Sequence, residues 1–257
     1  MSENAKAPSM LLLALEPLRA GLEALSLLVG ATNLSQGNGQ PVIVYPGLAT
    51  NELATSLFRS ELRSAGFSVY DWDQGLNRGP QGDFDEWITL LAHQVHQLEM
   101  KHDQPVALIG WSLGGIFARE VSRRVPGKVS QVITLGTPFA ANAEATNAGK
   151  VYELLNGKAP EFPKGFLASL RKSLPVPSTS IYSKTDGVVA WECCIERESE
   201  ISQSIELNQV SHFGMVLHPQ VLRVVADRLA QPYGSWARYG KDERKARKVK
   251  KQPLVAA

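Results

Sequence analysis

Six short runs rich in β-branched or apolar residues, at 42–45, 68–71, 106–109, 132–135, 180–182 and 205–207, alternate with segments patterned as helices at 52–65, 84–101, 115–124 and 219–230. A helix between successive strands lets the strands run parallel, and a parallel sheet needs helices on both faces to keep its apolar strands from water. The alternation therefore predicts an α/β fold with a mostly parallel central sheet. In open sheets of this kind ligands bind beyond the carboxyl ends of the strands, so that edge is where chemistry is to be sought.

With 257 residues, 44% of them hydrophobic and 20% charged, the chain suits one α/β domain better than two small ones. We place that domain at 37–232. Before it, residues 1–36 carry Leu11, Leu15, Leu18, Leu22, Leu25 and Val29 at alternating spacings of three and four, which line up on one side of a helix. Pro17 should kink that helix or start a second one. The greasy side is read as packing on the protein's own core, with a membrane-surface or partner contact as the alternative; the polar side is not notably basic. Between 139 and 177 no strand is evident, although Tyr152, Leu154, Leu155, Phe162, Phe166 and Leu167 recur there. Such a long interval predicts a small helical cap or lid.

The tail, 233–257, holds seven Lys or Arg against two acids between positions 241 and 251, so the body of the chain is mildly acidic. This run reads as a solvated, disordered end. It has no aromatic residue for stacking on bases, and no nucleic-acid partner is expected. A peripheral membrane contact through the N-terminal helix or the basic tail stays open. The two cysteines, Cys193 and Cys194, are neighbours and staple nothing, which favours a reducing, cytoplasmic setting. The leucines near the N-terminus are interrupted by Glu16, Pro17, Arg19 and Glu23, unlike a secretory signal, and no run is long enough to span a bilayer. His93 and His96 have the spacing of a metal pair but no nearby third ligand, and no phosphate-binding glycine loop appears. No metal and no cofactor are expected.

Gly110-Trp111-Ser112-Leu113-Gly114-Gly115 lies between the 106–109 strand and the following helix. A G-x-S-x-G sequence in that setting forms a tight turn that presents the serine hydroxyl at the sheet edge. Serine is a weak nucleophile at neutral pH and needs a base, which in turn needs an orienting carboxylate. His212 follows the last strand candidate in a loop that can reach the same edge, whereas His218 precedes Pro219 and reads as a helix cap. Asp186 is the only aspartate between Ser112 and His212 and sits in a turn just past a strand. Glu192 and Glu196 lie in a charged stretch read as solvated surface.

With these residues in view, the stretch 41–230 resembles the α/β-hydrolase superfamily, in particular its lipase and esterase-like serine hydrolases. The resemblance implies that fold, with a mostly parallel central sheet, helices on both faces and a small cap, and a catalytic triad of Ser112, Asp186 and His212. It further implies an oxyanion hole from the backbone N–H of Leu113 and of Leu48, with Gly47 as the alternative; many members carry His-Gly where this chain has Pro46-Gly47. The activity implied is hydrolysis of a small or lipid-like carboxylic ester through an acyl-enzyme. An acyltransferase using the same intermediate and a non-catalytic binding protein on the same fold stay open as alternatives.

Overall fold

The computed structural model describes residues 5–29, 33–140, 156–157 and 165–240. Its strands β1 (Pro41–Tyr45), β2 (Ser68–Asp71), β3 (Val106–Trp111), β4 (Val129–Leu135), β5 (Ser178–Tyr182) and β6 (Ser202–Glu206) form one sheet. The spatial order is β2-β1-β3-β4-β5-β6. Every neighbouring pair is parallel, as the alternation of strand and helix patterns predicts. All six strands overlap predicted runs; most are extended by a few residues, and the last, expected at 205–207, is shifted to Ser202–Glu206.

Alternate strand residues feed two separate cores, one on each face of the sheet. Val42, Val44, Ala107, Ile109, Ile133 and Leu135 point to the side covered by α2 (Ser56–Ser64) and by the last helix of the described chain, Pro219–Leu229. Ile43, Tyr45, Val106, Leu108 and Val132 point to the side covered by α3 (Phe84–His102) and α4 (Leu113–Arg124). Because β3 is covered on both sides, Leu108 and Ile109 are both fully buried, each worth about 1.5–3 kcal/mol of transfer free energy. The chain runs outward from β1 to β2 and then crosses back to β3. That reversal opens the crevice beyond the carboxyl ends of β1 and β3.

Two features of the N-terminal helix bear on what was expected of it. First, Pro17 starts no second helix: α1 (Met10–Val29) runs through it as one element. Proline removes one backbone hydrogen bond and costs about 3 kcal/mol in a helix interior; Pro17 itself faces solvent. Docking of the opposite side holds the helix together. Second, the leucine side is not the docked one. Leu11, Leu18, Leu22 and Leu25 are exposed, whereas Glu16, Ala20, Glu23 and Leu27 are buried. The buried set also has spacings of four, three and four, so the helix is turned with its acids inward. No described helix is long and apolar enough to cross a membrane.

Of the interval expected to form a cap, residues 141–155 and 158–164 lie outside the described residues. The described part includes α5 (Phe166–Leu170), whose Phe166 and Leu170 join the core on the α4 side. After it come α6 (Pro219–Leu229) and residues 233–240, which the composition assigns to the tail. These are tied to the body: Tyr239 N donates to Gln203 Oε1 at 2.8 Å and Arg238 Nη2 to the Ser199 carbonyl at 2.8 Å. The basic run from 241 lies outside the described residues.

Candidate active site

Ser112 stands between β3 and α4 with φ 54° and ψ −122°, a left-handed-side conformation that costs a non-glycine residue about 1–3 kcal/mol. The glycines around it let strand and helix meet. A Cβ at position 110 would lie 2.3 Å from Gly115 Cα, one at 114 would lie 2.4 Å from the Tyr45 carbonyl oxygen, and one at 115 would lie 2.0 Å from Thr137 Oγ1. The turn is pinned by Ser112 N donating to the Leu135 carbonyl at 2.9 Å and by Gly115 N donating to the Ser112 carbonyl at 3.0 Å. Strain of this size persists only where the surroundings over-determine it, and here packing on three sides does so.

Asp186 lies in the turn after β5. Its Oδ1 accepts from the backbone N–H of Val188 and of Val189, both at 2.8 Å, which leaves Oδ2 directed at His212 Nδ1, 2.7 Å away. With the Nδ1 proton engaged by the carboxylate, the neutral ring keeps Nε2 as its acceptor, the tautomer a general base requires. Both side chains are almost wholly buried. Burial pushes the imidazole pKa down, but the Asp186 charge and hydrogen bond, helped by the charge of Glu16 on α1, outweigh it and leave the pKa above the ordinary 6.5.

The same pair lies against the strand edge that holds the serine. A Cβ on Gly136, next to the Leu135 carbonyl that binds Ser112 N, would be 3.1 Å from Asp186 Oδ2 and 3.2 Å from His212 Nδ1. Trp111, the residue before the nucleophile candidate, donates its indole N–H to the His212 carbonyl at 3.0 Å. Gly136 thus carries the Asp186–His212 pair against it and directly follows the Leu135 carbonyl that holds Ser112 N, while among the described residues no hydrogen bond joins the Ser112 hydroxyl to His212.

Leu113 is the first residue of α4, so its N–H has no acceptor within the helix. The N–H of Leu48 meets no acceptor among the hydrogen bonds of the described residues. Gly47 lies against Trp111, since a Cβ there would sit 3.2 Å from the indole ring. The loop carrying both is braced by Asn77, which is fully buried. Its Nδ2 donates to the Pro46 carbonyl at 2.8 Å, its own carbonyl accepts from Ala49 N at 2.8 Å, and its N–H binds the Thr50 carbonyl at 2.8 Å. Asn77 lies in the polar loop that follows β2, and a lone Asn in a loop carries no sequence signal of this bracing.

Among the other singled-out residues, His218 caps α6, accepting from Gln220 N at 3.1 Å as expected. Cys193 and Cys194 are buried packing residues; burial, then the charge of Glu192, pushes the Cys193 thiol up to about 11. His93 and His96 sit on α3, where His96 lies 3.5 Å from Glu99. Glu196 requires a correction. Expected on the solvated surface, it is buried and paired with the equally buried Arg119 of α4, a residue that also donates to the carbonyls of Leu170 and Lys172. The charged residues around it, Arg197 and Glu198, are exposed, and only position 196 turns inward.

Comparison with known proteins places these features. The family described as serine aminopeptidase, S33 (Hydrolase_4), matches residues 38–186. No curated protein sequence matches the chain. Among solved structures, lipase B of Aspergillus fumigatus is similar over 79% of this chain at 21% identity and a TM-score of 0.57, and the chain spans 56% of that lipase. A Bacillus licheniformis lipase in its mature form is similar over 79% of this chain and 96% of its own, at 15% identity and a TM-score of 0.58. A monoacylglycerol lipase from Paleococcus ferrophilus is similar over 75% of this chain and 96% of its own, at 15% identity and 0.55.

Proposed function

Because the chain belongs to the serine aminopeptidase S33 family of α/β hydrolases, we propose that it is a serine hydrolase that cleaves carboxylic esters through an acyl-enzyme on Ser112. The observation that carries this reading is the buried 2.7 Å contact of Asp186 with His212 beside the strained turn of Ser112. His212 takes the Ser112 proton as Oγ attacks the ester carbonyl, then delivers it to the departing alcohol. Asp186 holds the ring tautomer and stabilises the imidazolium. Water, activated by the same histidine, releases the acid and restores the serine.

The N–H groups of Leu113 and of Leu48, or Gly47 in its place, stabilise the oxyanion; one such donor is worth about 2.7–4 kcal/mol in related chemistry. The lipases among the structural neighbours favour esters over amides. Peptide-like amides are the competing substrates that the family description brings in.

A fluorophosphonate should label the wild-type protein and not Ser112→Ala. Equal labelling refutes the assignment of the nucleophile. A panel of acyl esters of increasing length, beside aminoacyl amides and with an added alcohol as competing acceptor, then decides the reaction: free acid from esters supports hydrolysis, faster cleavage of the amides identifies a peptidase, and conjugate in place of acid identifies a transferase.

A further inference from the structure

Three charged or acidic side chains of α1 are turned into the protein, and all three land on the two loops that carry Asp186 and His212. Glu16 is fully buried. Its Oε1 accepts from the backbone N–H of Gly187 at 2.8 Å and of His212 at 3.0 Å, and its Oε2 accepts from Phe213 N at 3.1 Å. One carboxylate therefore joins the residue after the candidate acid to the candidate base itself. Arg19, 3.7 Å from Glu16, donates to the carbonyl and hydroxyl of Thr185 at 2.6 and 2.9 Å, on the other side of Asp186. Glu23 accepts from Ser211 N at 2.9 Å and Ser211 Oγ at 2.5 Å, immediately before His212.

Both loops are shaped to receive the helix. A Cβ on Gly187 would lie 2.6 Å from the α1 backbone at Leu12, and one on Gly214 would lie 1.6 Å from Glu23 Oε2. A helix needed only for stability could bury its leucines. This one exposes Leu11, Leu18, Leu22 and Leu25 and turns its two carboxylates onto backbone N–H groups, and Arg19 onto Thr185, in the loops of Asp186 and His212.

We propose that α1 is a clasp for the catalytic pair, in which Glu16, with Arg19 and Glu23, acts as a positioning residue that fixes the Asp186 turn and the His212 loop relative to each other. The inference rests on the serine-hydrolase reading above. Glu16 acts on His212 in two ways: through the backbone, by anchoring its N–H, and through space, by a negative charge that favours the imidazolium. The other titratable groups near the ring are Asp186, bonded to it; Arg19, beside Glu16; Glu23, behind Ser211; and Cys194, close to Asp186.

The test is Glu16→Gln in the full chain. Glutamine keeps one acceptor oxygen, places an amide NH2 opposite Phe213 N–H, and removes the charge. We expect kcat on a soluble ester to fall about tenfold, less than the roughly hundredfold that a 1 Å misplacement can cost, with KM within about twofold because no substrate contact changes. The acid limb of kcat/KM should move to lower pH, a readout that loss of packing alone would not move. Glu99→Gln removes the same charge from α3, where Glu99 pairs with Lys128, and should leave the limb in place. If Glu16→Gln does not fold, Arg19→Gln serves instead: stripping the cation from Glu16 should lower kcat and move the limb upward.

Wild-type kcat and an unmoved acid limb in the folded variant overturn the clasp, as does a lower activity that merely tracks the folded fraction by circular dichroism. If Ser112→Ala is inactive while Glu16→Gln behaves as wild type, the clasp fails alone. Should Ser112→Ala keep full turnover, the serine reading fails and takes the clasp with it.

Discussion

Gly114→Ala tests the close meeting of strand and helix on which the site is built. The added Cβ would lie 2.4 Å from the Tyr45 carbonyl oxygen and 2.6 Å from that of Pro46, against an ordinary contact of 3.4 Å or more. Relief requires β1 and the start of α4 to separate by about 1 Å, because overpacked backbone cannot rotate away as a side chain can. The retreat is resisted by Asn77, whose amide holds the Pro46 carbonyl at 2.8 Å. Overpacking of this kind costs about 1–3 kcal/mol, and the better helix propensity of alanine returns about 1 kcal/mol. A net loss of roughly 0–2 kcal/mol should lower Tm by up to about 8 °C in a domain of this size. The rate should suffer more than the stability, since the segment that moves carries Leu48 while the helix carries Leu113; a 1 Å misplacement costs about a hundredfold. Thermal melts and hydrolysis of a chromogenic ester measure both. Gly21→Ala is the control: nothing lies within 4 Å of its Cβ in exposed α1, so it should stabilise by about 0.5–1 kcal/mol. A Gly114→Ala protein as stable as wild type, with a rate within threefold, refutes the reasoning.

The remaining predictions concern charge and packing. His212 must be neutral to accept a proton, and its pKa is raised above 6.5, so kcat/KM should fall as pH drops through that raised value; an acid limb below 6.5 would contradict the geometry. Asp186→Asn removes the largest raising influence, so the limb should shift downward and kcat should fall by about 10⁴, measured across pH 5–9. Arg119→Met leaves Glu196 buried without its partner and should cost about 3–5 kcal/mol in urea unfolding; adding Glu196→Leu should recover much of it. Leu27→Ala should cost about 2–5 kcal/mol, whereas Leu18→Ala, at 64% exposure, should change stability by no more than about 0.5 kcal/mol.

Strands and most helices were legible because buried parallel strands demand continuous apolar runs, and their covering helices demand amphipathic ones. The Ser112 turn was legible for a related reason: glycines are needed where a helix starts against a strand, and they leave a pattern. Asp186 and His212 followed from chain order and chemistry. What sequence hid was α1. Its two stripes, one of leucines and one of Glu16, Ala20, Glu23 and Leu27, have the same spacing, and hydropathy selects the leucines. The acids win in three dimensions because the loops after β5 and β6 present unpaired backbone N–H groups, a demand invisible until those loops are folded. Glu196 was hidden likewise, since its partner Arg119 lies 77 residues away. Paired acids in a leucine-rich helix, seven residues apart, are the one signal that could have raised the question.

The clasp also sets an order of events during synthesis. Glu16 and the Phe213 N–H it binds are 197 residues apart in the chain. At ribosomal rates of about 5–20 residues per second, α1 waits roughly 10–40 s for its partners to be made. Through that interval both edges of the helix face water, and the sheet from β1 to β4 can assemble without it. Joining the Asp186 and His212 loops is then a closing step that links distant parts of the chain, the slowest kind of contact to form. A refolding protein should regain its secondary structure before its activity, and the lag between the two would time the arrival of one helix.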